Sequence, residues 1–126
     1  MKNNDIFIET RTLKISLLDN ELVYSETKPN TKENLEDAKE NIDGILKIME
    51  GRKLPMISDI NNLKSQSKEA RDHYSNSPIC SAVALVTDSR LSMIIGNFFL
   101  CLNKATAPTK MFKSKEDALD WARKYM

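Results

Sequence analysis

The chain has 126 residues, 40% hydrophobic and 29% charged, with 19 basic and 18 acidic side chains and a net charge of +1. That length and composition fit one globular domain over residues 1–126, able to bury a core without disulfides or metals. The near-neutral charge argues against a protein that grips nucleic acid through its phosphates, and two cysteines, Cys80 and Cys101, are too few for a disulfide framework and read as reduced core residues.

Residues 1–10 read as an N-terminal arm or an extra strand. Ile6-Phe7-Ile8 is too short for a signal-peptide core. A cytoplasmic protein is therefore expected. Leu13, Ile15 and Leu17 alternate with Lys14 and Ser16, the period of a half-buried strand. Asp19-Asn20-Glu21 supplies turn chemistry, and Leu22–Ser25 resumes the strand, so the pair reads as a hairpin.

Pro29-Asn30 breaks the chain, and Thr31 is placed as the N-cap of a helix with Glu33 in its first turn. Leu35, Ala38, Ile42, Ile45, Leu46 and Met49 draw one apolar face. Gly51 suits the C-cap. Leu54–Ile60 is a short strand with Pro55 at its start, and Asn61-Asn62 a turn. Ser67 caps a short helix through about Tyr74. Cys80–Val86 has the near-continuous apolar run of a strand buried on both faces.

Asp88 or Ser89 caps the next helix, which runs through about Asn103. Its uncharged stretch falls short of the roughly 20 residues needed to span a bilayer. Lys110-Met111-Phe112 is a last strand. Ser114 with Asp117 approximates a capping box for a final helix carrying Ala118, Leu119, Trp121, Ala122 and Tyr125. The order β-β-α-β-α-β-α-β-α predicts an α/β domain with a mixed, mostly parallel sheet of about five strands and right-handed crossovers.

Several segments carry a resemblance to known proteins. They are Gly51–Ile60, Lys64-Ser65 with Glu69-Ala70-Arg71, Ile95–Leu100 with Asn103-Lys104, Pro108–Phe112 and Ala118–Trp121. With the element order they resemble the SpoIIAA-like superfamily. That superfamily includes anti-sigma-factor antagonists, STAS domains and CRAL-TRIO-type lipid-binding domains. More closely, the chain is similar to small bacterial proteins of unknown function with that fold. The resemblance covers residues 11–126 and implies a SpoIIAA-like fold, but no activity. It also implies a position for the phosphorylated serine of the antagonists, near Ser67. The neighbours here are Gln66, Lys68 and Glu69, so the aspartate and glycine of that motif are absent, and helix capping accounts for Ser67.

Catalytic signatures are sparse. His73 is the single histidine, too little for a metal cluster or for evidence of acid–base work. Gly44, Gly51 and Gly96 are too dispersed to cradle a phosphate, and no Gly-x-Ser-x-Gly elbow occurs. No cofactor is implied. Asp59 ends a parallel strand, where α/β sheets place ligand contacts, although a turn role also explains it.

On a helical wheel, Leu91, Ile94, Ile95, Phe98, Cys101 and Leu102 form a core face. Ser92, Gly96 and Asn103 lie opposite. Met93, Phe99 and Leu100 are then surplus apolar surface around a Ser92/Gly96 groove. Such a patch predicts either cover by another part of the chain, such as the N-terminal arm, or a protein interface, a homodimer included. The expected role is a non-catalytic binding or regulatory module. The alternatives are a carrier of a small apolar or lipid-like ligand, or a phosphoswitch at Ser67.

Overall fold

A computed structural model describes residues 7–77, 79–95 and 107–126. The strands are β1 (Phe7–Glu9), β2 (Leu13–Leu18), β3 (Leu22–Thr27), β4 (Thr31–Glu33), β5 (Pro55–Asp59), β6 (Leu63–Gln66), β7 (Ala82–Val86) and β8 (Thr109–Phe112). The helices are α1 (Leu35–Met49), α2 (Lys68–Ser75) and α4 (Lys115–Ala122), the last followed by a 3-10 turn at Arg123–Tyr125. Between β7 and β8 lies α3, helical over the described residues 90–95.

Six strands form one sheet in the order β1-β2-β3-β5-β7-β8. The first three are antiparallel, and β3, β5, β7 and β8 run parallel. The sheet is thus mixed and mostly parallel with flanking helices, as expected, but larger than about five strands. β1 is the extra strand, paired with β2 from Phe7↔Ser16 to Glu9↔Lys14. The hairpin turns at Asp19 and Asn20, both at positive φ (51° and 61°). This is the mirror-image turn whose twist matches the strands, and it favours Asn and Asp.

Helices cover both faces. On one, Ile45, Ile48 and Met49 of α1 pack on Leu13, Ile15, Leu17 and Val23. On the same side, Ile95 of α3 packs against a cluster of Ile60, Leu63 and Leu85. On the other face, Ala118 and Ala122 of α4 lie against Leu22, Ile57, Ala84 and Val86. Strands β5 and β7 are therefore buried on both sides, which explains their apolar runs. Gly44 lets α1 approach closely: a Cβ there would meet Ile15 Cδ1 at 3.1 Å.

Two expectations are corrected. Thr31 does not cap α1; it begins β4, which pairs in parallel with β6 as a separate two-stranded sheet. Asn34 is the cap: its side chain accepts from Asp37 N–H, and the Asp37 carboxylate accepts from Asn34 N–H. A reciprocal box satisfies two orphan amides, which Thr31 could not do from three residues upstream. The wheel for α3 is also turned. Leu91 and Ile94, assigned to the core, are 46% and 63% exposed, whereas Ser92 is fully buried.

Candidate functional site

The face that carries α1, α2 and α3 holds a partly open cavity of about 110 Å³. Its sheet wall is formed by Leu13 of β2, Ser25 and Thr27 of β3, Met56 and Ser58 of β5, and Val83 and Leu85 of β7. Ile42 and Ile45 of α1, Leu63 and Gln66 of β6, Tyr74 of α2 and Ile95 of α3 line its other side. Doubly buried strands ordinarily carry Val, Ile or Leu inward. Here Ser25 and Ser58 take two such positions, and Ser25 Oγ donates to Ser58 Oγ at 3.2 Å. Small paired hydroxyls leave volume that branched aliphatics would fill.

One end of the cavity is polar. Glu33, the last residue of β4, is 6% exposed. Its Oε1 accepts from Gln66 Nε2 at 3.0 Å and from the Tyr74 hydroxyl at 3.2 Å. Its Oε2 accepts from Thr12 Oγ1 at 3.0 Å and Asn41 Nδ2 at 3.1 Å. Asn41 Nδ2 also reaches the Tyr74 hydroxyl at 2.9 Å, and Thr10 Oγ1 donates to Asn41 Oδ1. A carboxylate offers about four lone-pair positions, so the chain itself fills them. Glu33 is therefore a structural hub tying the β1–β2 turn, α1, β6 and α2 together. Burial, with Glu33 alongside, pushes the Tyr74 phenol well above its ordinary range.

Cys80 also lines the cavity. It is a free, buried thiol, and burial pushes its pKa up to about 12. Among the described residues no group of three His, Cys, Asp or Glu side chains could hold a metal ion. Among them, too, no helix is long and apolar enough to cross a membrane.

Ser67, Asp59, Ser92 and Met93, singled out from the sequence, do not line this cavity. Ser67 caps α2, its Oγ accepting from Ala70 N–H at 3.1 Å. Asp59 Oδ1 accepts from Asn61 N–H at 3.0 Å, and by strand alternation it lies on the face opposite Ser58. Its charge adds to burial in raising Tyr24 to about 12. Ser92 is corrected from groove to interior: its Oγ donates to Leu63 O at 2.9 Å and lies 3.2 Å from Asn61 O. Met93 is half-buried. Gly96, Phe99, Leu100 and Cys101 lie outside the described residues. The sequence reading missed Glu33's partners and Gln66. Its available signal was polar residues at inward positions: Ser25 and Thr27 on β3, Ser58 on β5, and Asn41 on the apolar face of α1.

The model of a family described as a domain of unknown function (DUF7793) matches residues 16–126. No curated protein matches significantly. Among solved structures, the chain is similar to an uncharacterized protein of the DUF3478 family with a SpoIIAA-like fold from Shewanella loihica. The TM-score is 0.62 at 16% identity, covering 97% of this chain and 99% of that one. It is also similar to a protein with unknown function from an Arthrobacter species, with a TM-score of 0.34 at 22% identity, covering 86% of this chain and 97% of that one. The fold is SpoIIAA-like, as the resemblance of the segments implied.

Proposed function

We propose that this chain, which belongs to the DUF7793 family, is a non-catalytic binding module that holds a small apolar molecule between its sheet and α1, α2 and α3. One observation carries the reading: the cavity of about 110 Å³, walled by Leu13, Ile42, Ile45, Met56, Val83 and Leu85. Apolar cavities on the order of 150 Å³ stay dry and admit benzene or xenon. Inward Ser25 and Ser58 support it, because they keep space that a packed core would close.

Calorimetric titration with benzene tests this. Wild type should bind benzene, and Ser58→Leu, which adds bulk to the wall, should not. Wild type that takes up no benzene to the limit of its solubility would sink the reading.

A second reading, association through α3, is favoured by the exposure of the adjacent apolar side chains Leu91 and Ile94. Sedimentation of wild type against Ile94→Asp tests it. A wild-type monomer throughout the micromolar range would remove it.

A further inference from the structure

We propose that the cavity selects a neutral molecule with a carbonyl acceptor, of the small-ketone type, and that the Ser58 hydroxyl is the donor that selects it. The proposal rests on the cavity reading above and specifies its ligand.

Strand pairing decides where Ser58 opens. β5 lies between β3 and β7, with Ser25↔Ser58 and Ser58↔Leu85 in register, so both of its edges are covered. Alternation places Ser58 on the face opposite Ile57, which packs against α4. Yet Ser58 is only half-buried, whereas its neighbours Ser25 and Leu85 are buried. With both edges and the far face covered, the remaining access lies on the cavity side, where Ser58 forms part of the wall. Its side chain is one methylene and one hydroxyl, so the hydroxyl stands at the cavity surface.

The same contrast sets the direction of the hydrogen bond. Ser25 Oγ and Ser58 Oγ lie 3.2 Å apart, and neither hydroxyl has another partner among the described residues. Ser25 is 1% exposed, so its proton is spent inside the protein, and Ser58 Oγ is the acceptor it meets. A hydroxyl carries one donor beside its lone pairs. Ser58 therefore accepts from Ser25 and keeps its own proton for the cavity. A ligand carbonyl accepts that proton, whereas a hydrocarbon leaves it without an acceptor.

The charge of the ligand follows from the same wall. Among the described lining residues there is no Lys, Arg or His. A carboxylate or phosphate head would enter without a counter-charge and beside Glu33, so anionic ligands are disfavoured. A cation would find Glu33 already accepting from Gln66, Tyr74, Thr12 and Asn41. A neutral carbonyl meets neither obstacle.

Cyclopentanone and methylenecyclopentane have nearly the same shape and differ in the acceptor, so they isolate the effect. Both are titrated by calorimetry into wild type, Ser58→Ala and Ser25→Ala. The affinity for the ketone relative to the hydrocarbon should fall about fivefold in Ser58→Ala, the scale of one neutral hydrogen bond. It should hold in Ser25→Ala, which removes a hydroxyl from the same wall but leaves the Ser58 proton. No fall in Ser58→Ala, or an equal fall in both variants, overturns the proposal while leaving the cavity reading intact. Wild type that binds the hydrocarbon and not the ketone does the same. Failure of both probes to bind wild type overturns the cavity reading and this one with it. Infrared spectroscopy supplies a measurement on wild type alone. The carbonyl stretch of bound cyclopentanone should lie below its value in hexane, as hydrogen bonding to the oxygen lowers it. A stretch at the hexane value overturns the proposal even if neither variant folds.

Discussion

Glu33 joins four partners that are remote along the chain: Asn41 lies 8 residues away, Thr12 21, Gln66 33 and Tyr74 41. Removing the carboxylate strands several buried donors at once. Glu33→Ala should therefore lose on the order of 3 kcal/mol or more in urea denaturation, whereas Tyr74→Phe, which deletes one donor, should lose about 1 kcal/mol. Near-equal losses would show that the hub is not the unit. Such a cluster is hard to read from a linear sequence, because no two of the five residues share a short motif. Ser67 was legible for the opposite reason: a cap acts on an amide three residues away, and Ala70 N–H is where capping places it.

At the scale of elements, capping chemistry separates the two candidate starts of α1. Asn34→Ala should lose about 1 kcal/mol in the same assay. Thr31→Val should keep α1 intact and weaken the β4–β6 pairing instead, seen as faster amide exchange at Ser67, whose N–H bonds to Glu33 O at 2.9 Å. The periodicity of α1 was legible because Asn41 alone breaks its buried face between Ala38 and Ile45. The α3 wheel misled because it treats serine as an outward residue. Ser92 is inexpensive to bury here, since the carbonyls of Leu63 and Asn61 accept its hydroxyl. Ser92 therefore faces in beside Ile95, and Leu91 and Ile94 face out.

Across the whole molecule, stability should decline at both ends of the pH scale, for different groups. Arg11, hydrogen-bonded to the buried Asp37 carboxylate, holds that acid below its ordinary 3.8. Its contribution is present above pH 3.8 and is lost as the pH falls below it. Cys80 runs the other way. Its neutral form is favoured on folding, so its contribution is whole below pH 9.0 and fades as the pH rises towards about 12. Tyr24, raised from 10.0 to about 12, fades over the upper part of the same window. Thermal melts across pH should show Cys80→Ala flattening the alkaline limb and Arg11→Ala the acid limb. The alternation of strands and helices, with right-handed connections, made the architecture legible. The cavity was not, because it arises from what Ser25 and Ser58 leave unfilled.

The six-stranded sheet also ends abruptly. Its outer strands are three residues long at β1 and four at β8. Lys28 pairs with Glu9 at 2.7 Å beside the first edge, and Lys110 lies within the second. Charged edges offer an incoming strand a lysine to bury. Growth of the sheet by docking another folded copy edge to edge is thereby disfavoured.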